Sequence, residues 1–319
     1  MLTSVRGGLS FYFQSAFRLQ SGGRSSIILR ILFYGADSTM RLSDTCAECL
    51  YDKQQHLTDD EEYLRTVRDI LDSRTDDMTA PYMVYLFTRA YEKRFGKSAP
   101  YGAVKKSFND LVLSVEDTVR ERIEASDDPI ATAMLYSRIG NYIDIGAMND
   151  VTEEAFLSLL DSAQLSGRDM EVITSFEEQC AGAKSLLLVS DNCGEIVLDR
   201  LLLEQLHKSF PALGMKVLVR GEEVLNDATG EDAIYAGIDR FAEIVSNGMP
   251  LAGTIYSLMP EEAKAALDGA DVILAKGQGN FESLTCQGRH VFFSFLCKCE
   301  LFTGRFGVPK LAGIFLEEK

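Results

Sequence analysis

The sequence predicts an α/β protein: an all-helical domain followed by a three-layer α/β/α domain on a doubly wound, mostly parallel sheet. Three observations predict it. From about Ser43 to Ala183 apolar residues recur at helical spacing, with no competing strand pattern. After Ala183 short apolar runs, of the kind buried on both faces of a parallel sheet, alternate with helical stretches. Four or five of those runs end in oxygen-rich or cationic residues, where open α/β sheets bind ligands.

Residues 1–39 stand apart, with four Arg, one acidic residue (Asp37) and several Gly and Ser. Gln14 and Arg18 interrupt any signal-peptide core. The segment reads as an extension or a miscalled start, poorly ordered or at most a loosely attached helix, and the working chain begins near Met40.

Residues 40–183 read as the helical domain. Thr58-Asp-Asp-Glu61 is a capping-box signature ahead of Leu64, Val67, Ile70 and Leu71. Pro81 opens a second helix that Gly96 ends. Phe108, Leu111, Val112, Val115, Val119 and Ile123 mark a third, and Asp128-Pro129 starts a fourth toward Ile143. Thr152 and Asp169 begin two more.

Residues 184–319 read as the α/β domain. Strands are expected at Ser185–Ser190, Lys216–Arg220, Ala242–Ser246, Asp271–Ala275 and Val291–Leu296, with a sixth at Ala312–Phe315. Helices are expected at Glu195–Phe210, Glu231–Ile238 and Pro260–Leu267. Strand–helix alternation implies right-handed crossovers.

Bulk composition narrows the function. A formal net charge of −16 over 319 residues argues against a nucleic-acid or anionic-membrane partner. No apolar run is long enough to span a bilayer. Seven Cys, an odd number, do not read as a disulfide framework, so a reducing cytoplasmic setting is the simpler expectation. Three scattered His (His56, His207, His290) weaken a His-rich zinc site or a Ser-His-Asp triad.

The first strand is followed by Asp191-Asn192-Cys193-Gly194-Glu195, the second by Arg220 and then Asn226-Asp227-Ala228-Thr229. The third ends in Ser246-Asn247-Gly248, the fourth in Lys276-Gly277-Gln278-Gly279-Asn280, and the fifth reaches Lys298. Singly, each is an ordinary turn or helix cap. Together on one sheet edge they favour a binding site. Asp191, Asn192 and Asp227 offer hard oxygen ligands and no thiolate or imidazole, which suits Mg²⁺ or Mn²⁺ rather than zinc. Lys276 is a compact cation able to neutralise a phosphate, Gly277 lets backbone N–H groups approach, and the helix starting near Gly194 points its positive dipole end the same way.

These motifs, with Gly140-Asn141-Tyr-Ile-Asp144-Ile-Gly-Ala, resemble in the same order those of the damage-control phosphatase family. That family is also called the ARMT-like metal-binding domain, formerly domain-of-unknown-function family 89. The similarity runs from about Met40 to the C-terminus, and Cys46-Ala-Glu-Cys49 resembles the opening of its free-standing prokaryotic subgroup. The resemblance implies a metal-dependent phosphatase acting on phosphate monoesters of small, damaged or surplus metabolites. Asp191, Asn192 and Asp227 would hold Mg²⁺ or Mn²⁺, with Co²⁺ or Ni²⁺ as alternatives. Lys276 would contact phosphate; Asn141, Asp144, Ser246 and Asn247 would line the pocket, joined by Gly277 and Asn280. Asp144 or Glu195 would position water or protonate the leaving group.

Cys46, Cys49, Cys297 and Cys299 give a weak zinc signal and read better as buried structural thiols. Cys193 reads as a packing residue and His207 as a surface or boundary one. Two rival functions are a non-catalytic metabolite-binding protein using the same edge and, ranked lower, a methyltransferase using S-adenosylmethionine, for which the first strand lacks a glycine-rich turn. A haloacid-dehalogenase reading fails because no Asp-x-Asp follows that strand.

Overall fold

The computed structural model describes Met40 and residues 42–97, 100–142 and 152–319. Helices α1 (Asp44–Leu57), α2 (Glu61–Asp72) and α3 (Ala80–Phe95) come first and close on their own apolar cluster around Tyr63, Val67, Leu71, Met83 and Phe87. Ser43 and Asp60 cap α1 and α2 by accepting from the N–H groups of Cys46 and Tyr63, which a first helical turn leaves unpaired. Thr58, the expected cap, instead ends α1.

Next come α4 (Gly102–Ser114), α5 (Glu116–Glu124), α6 (Pro129–Gly140), α7 (Glu153–Ser162) and α8 (Gly167–Gly182). The single helix expected from Phe108 to Ile123 is two, because Val115 leaves the helical path between α4 and α5. Val112, Val115, Val119 and Ile123 all stay buried, so the apolar spacing carries across the break and conceals it.

The sheet region runs β1 (Ser185–Val189), α9 (Glu195–Ser209), β2 (Gly214–Val219), α10 (Gly230–Ala236), β3 (Glu243–Ser246), α11 (Glu261–Asp268), β4 (Val272–Lys276), α12 (Gln278–Leu284), β5 (Val291–Leu296), α13 (Glu300–Phe306) and β6 (Gly313–Glu318). The strand order is β3-β2-β1-β4-β5-β6, with the first five parallel and β6 antiparallel on the edge beside β5. This is a doubly wound sheet whose order reverses between β1 and β4. The short helices α12 and α13 were not expected from the sequence, and β6 runs further than Ala312–Phe315.

Side-chain alternation along the strands builds three layers. Leu186, Leu188, Val217, Val219, Leu274 and Phe292 face helices α4 to α10 in one continuous core. Their neighbours Leu187, Val189, Leu218, Val245, Ile273 and Phe293 face α11 to α13. Among the described residues no helix is long and apolar enough to cross a membrane.

Candidate active site

The parallel register sets the carboxyl ends of the strands level. Val189 pairs with Leu218 and Ala275, Val219 with Ser246, and Lys276 with Ser294. The residues just beyond therefore share one rim, and β1 and β4 flank the point where strand order reverses, the place where such sheets bind ligands.

Two loops fold onto each other there. Asn192 and Asp227 form a bridge pair, Ala228 N donates to Asp191 O at 2.7 Å, and Cys193 N donates to Asn226 O at 2.8 Å. Asp191 and Asp227 thus meet although 36 residues apart (227 − 191). Arg220 lies between them. Its Nε donates to Asp227 Oδ2 at 2.7 Å and its Nη2 reaches Asp191 Oδ1 at 3.4 Å. Its Nη1 donates to Gly253 O at 2.9 Å and to Asn280 Oδ1 at 3.1 Å.

A second cluster backs the first. Asn141 Nδ2 donates to Asp191 Oδ2 at 2.9 Å and Glu195 Oε2 at 2.8 Å; Asn192 Nδ2 donates to the same two oxygens at 2.8 and 3.2 Å. Glu195 Oε1 accepts from Lys276 Nζ at 2.6 Å. Lys276 also donates to Asp199 Oδ1 at 2.8 Å and to Ser137 Oγ at 2.6 Å, with Ser137 O at 3.2 Å. Burial alone would depress the Lys276 ammonium, but Asp199 and Glu195 hold its pKa above the ordinary value. At Asp191 burial, then the neighbouring Asp227 and Glu195 carboxylates, push the pKa up to about 8 against the pull of Arg220.

Asp191, Asn192, Asp227, Asn141 and Glu195 are thus in one cluster. Gly277 belongs to it in a different way: at φ +81° its backbone lies so close that any Cβ would overlap the Asp191 carboxylate. Asn280 ties the strand ends together, its Nδ2 donating to Ser190 O at 2.9 Å and Lys276 O at 2.7 Å. Asn247 holds two loops by accepting from Gly221 N at 2.8 Å and Met249 N at 3.0 Å, and has no hydrogen bond to the carboxylate cluster. Ser246 is exposed, its Oγ accepting from Gly248 N at 3.1 Å. Lys276 lies one layer behind Asp191, joined through Glu195, rather than facing it. Gly194 N, at the start of α9, donates to Asn109 Oδ1 at 2.6 Å. Asp144 lies outside the described residues.

Ser137, Asp199 and Asn109 carry the architecture without having been singled out in the sequence, and Arg220, noted there as a strand-end residue, was given no role. A signal existed for Asp199: Glu195 and Asp199 sit four apart in a helix otherwise lined by Ile196, Val197, Leu198, Leu201 and Leu202, and a carboxylate inside such a helix needs a partner. Cys193 is fully buried in the core and His207 is exposed. The buried-thiol expectation holds for Cys297, whereas Cys49 is exposed and Cys46 and Cys299 are half-buried.

The donor set fits a hard divalent cation. Four buried carboxyl groups (Asp191, Asp227, Glu195, Asp199) meet two buried cations, Arg220 and Lys276. Burial and then crowding by Asp227 and Glu195 raise the Asp191 pKa, and that crowding is what a further positive ion would relieve. Asn141 Oδ1 is a buried acceptor with no hydrogen-bond partner beside Asp191. Among the described residues no three His, Cys, Asp or Glu side chains are grouped to hold a metal by themselves, so a cation here would need the amide oxygens as well.

The family model of the damage-control phosphatase ARMT1-like domain matches residues 38–313. A damage-control phosphatase of Archaeoglobus fulgidus is 32% identical over 281 residues, covering 84% of this chain and 96% of its own. A second, from Pyrococcus horikoshii, is 29% identical over 240 residues, covering 73% and 79%. In fold, the chain resembles the crystal structure of a Pyrococcus horikoshii protein of the family numbered 89, with a TM-score of 0.73 at 24% identity, over 88% of this chain and 99% of that one.

Proposed function

We propose that this chain, which belongs to the ARMT1-like damage-control phosphatase family, hydrolyses phosphate monoesters of small metabolites, damaged or surplus ones among them, using a divalent cation held by Asp191, Asn192 and Asp227. The observation that carries this reading is the meeting of those three side chains, from two separate strand ends, where the sheet order reverses.

Magnesium or manganese suits the all-oxygen donors, and such an ion would supply charge neutralisation at phosphate oxygens and orientation of water. The protein's own groups do the rest. Arg220 spans Asp191 and Asp227 and keeps both oriented. Asn141 and Asn192 fix Asp191 Oδ2 from two sides. Glu195 has both oxygens engaged, so its part is to hold those amides, which leaves Asp144 as the acid–base candidate of this reading. Lys298, half-buried beyond β5 and felt electrostatically at Asp191, adds positive charge to this end of the sheet. Rigid placement of charge of this kind is the main lever in phosphoryl transfer.

The test is phosphate release from sugar phosphates, phosphopantetheine and nucleotides, with and without Mg²⁺, Mn²⁺, Co²⁺ or Ni²⁺. Metal-dependent release is expected, and Asp191→Asn or Asp227→Asn should lower it by more than about 100-fold, beyond the loss usual for outer partners of metal ligands. Near-normal release by both variants with stoichiometric metal retained would sink the assignment.

A further inference from the structure

Behind the rim, α6 and α9 cross so closely that a Cβ on Gly140 would lie 2.9 Å from the Glu195 Cα. Only glycine permits this approach, and it sets two pairs of residues face to face. Ser137 and Asn141 are four apart on the α6 side, Glu195 and Asp199 four apart on α9, so each pair shares one helical face. The outer rung is Asn141 with Glu195, at 2.8 Å; the inner rung is Ser137 with Asp199, whose Oδ1 accepts from Ser137 Oγ at 2.6 Å.

Lys276 Nζ enters from the end of β4 between the rungs. An ammonium has three protons. Here three short acceptors take them: Ser137 Oγ, Glu195 Oε1 and Asp199 Oδ1, at 2.6, 2.6 and 2.8 Å. Lys276 is fully buried and Asp199 only 1% exposed, so neither group reaches the rim itself. Asp199 Oδ2 has no hydrogen-bond partner, so the buried inner carboxylate is held only through its other oxygen.

We propose that Asp199, with Ser137, is a positioning residue: it shares the Lys276 ammonium with Glu195 and so leaves Glu195 Oε2 aimed at Asn141 and Asn192. The charge of Asp199 matters because it draws the ammonium inward. With a neutral side chain there, Lys276 has a single carboxylate partner, Glu195 is pulled toward it, and the two amides that fix Asp191 lose the second of their two acceptors. Asp199 makes its hydrogen bonds to Ser137 and Lys276, not to Asp191, Asn192 or Asp227, and works through Lys276 and Glu195. This assignment rests on the phosphatase reading above.

The experiment compares wild type, Asp199→Asn, Asp199→Glu and Ser137→Ala for kcat and KM on a phosphate monoester the wild type hydrolyses. Mn²⁺ affinity is measured by calorimetry, and folding is checked by the thermal midpoint. Asp199→Asn, nearly isosteric, is expected to lose 10- to 100-fold in kcat or in Mn²⁺ affinity, with KM changed less than threefold. Asp199→Glu, which restores the charge, should recover most of that loss, and Ser137→Ala should show a smaller loss of the same kind. If Asp199→Asn fails to fold, Ser137→Ala and Asp199→Glu carry the test by themselves. Wild-type kcat and Mn²⁺ affinity in Asp199→Asn, or equal impairment of the Asn and Glu variants, overturns the inference while the phosphatase reading stands. A wild-type protein that releases no phosphate overturns the reading itself.

Discussion

The helical arm α1–α3 and the carboxyl rim of the sheet handle charge in opposite ways. In the arm, the interior is Tyr63, Val67, Leu71, Met83 and Phe87, and ions stay outside: Arg68 pairs with Glu48 at 2.8 Å with both side chains more than a third exposed. At the rim and in the layer just behind it, Arg220 and Lys276 are at most 1% exposed, and the four carboxylates around them at most 8%. Surface pairs cost little to form and add little. Buried ones carry a desolvation penalty that apolar packing would avoid. A fold that needs only cohesion does what the arm does, so the rim's arrangement points to a task beyond cohesion.

The sharpest way to break that contrast is Lys276→Met. It leaves Glu195 and Asp199 buried without their cation, so the expected cost is about 3–5 kcal/mol of stability together with loss of phosphate release, read by denaturant unfolding and by assay. A loss under about 1 kcal/mol would mean that the rim's charges are no more consequential than the arm's. An intermediate effect is expected at Glu282, on α12 where it packs against α3. Burial pushes its carboxyl up to about 7 from the ordinary 4.5, against the pull of Gln278 and Lys53. The folded state therefore holds this proton more tightly than the unfolded state does. Stability from this group is complete below about pH 4.5 and is lost as pH rises through 7. Glu282→Gln should match wild type near pH 4.5 and exceed it by roughly 1–3 kcal/mol at pH 8. The same difference at both pH values would contradict it. The smallest effect belongs to the arm: Glu48→Ala should cost under about 1 kcal/mol in the same unfolding measurement.

The sequence made the sheet readable wherever strands are buried on both faces, because such strands leave mostly apolar runs: SLLLV, VILAK and VFFSFL. At the half-covered edge this fails. In β6 only Phe315 and Glu318 are buried, so a fragment of the strand stood out and its direction did not. α12 was hidden by Gly277 and Gly279, which look like a turn; in the fold Asn280 anchors this seven-residue helix to Ser190 and Lys276. Asp191, Asn192 and Asp227 could be read because each lies just past an apolar run. Arg220 and Lys276 could not be placed in depth: whether a strand-end cation is solvated or buried depends on acceptors far along the chain. For Lys276 the Ser137 hydroxyl lies 139 residues away.

The contact between Gly277 and the Asp191 carboxylate bears on how such a protein can diversify. With no room for even a methyl group there, drift at that position is closed, and the same holds at Gly140 where α6 meets α9. New substrate preferences must therefore arise from outer positions that pack against nothing essential, such as the exposed Ser246. A mutant library meant to retarget the protein should be seeded there and should leave the glycines alone.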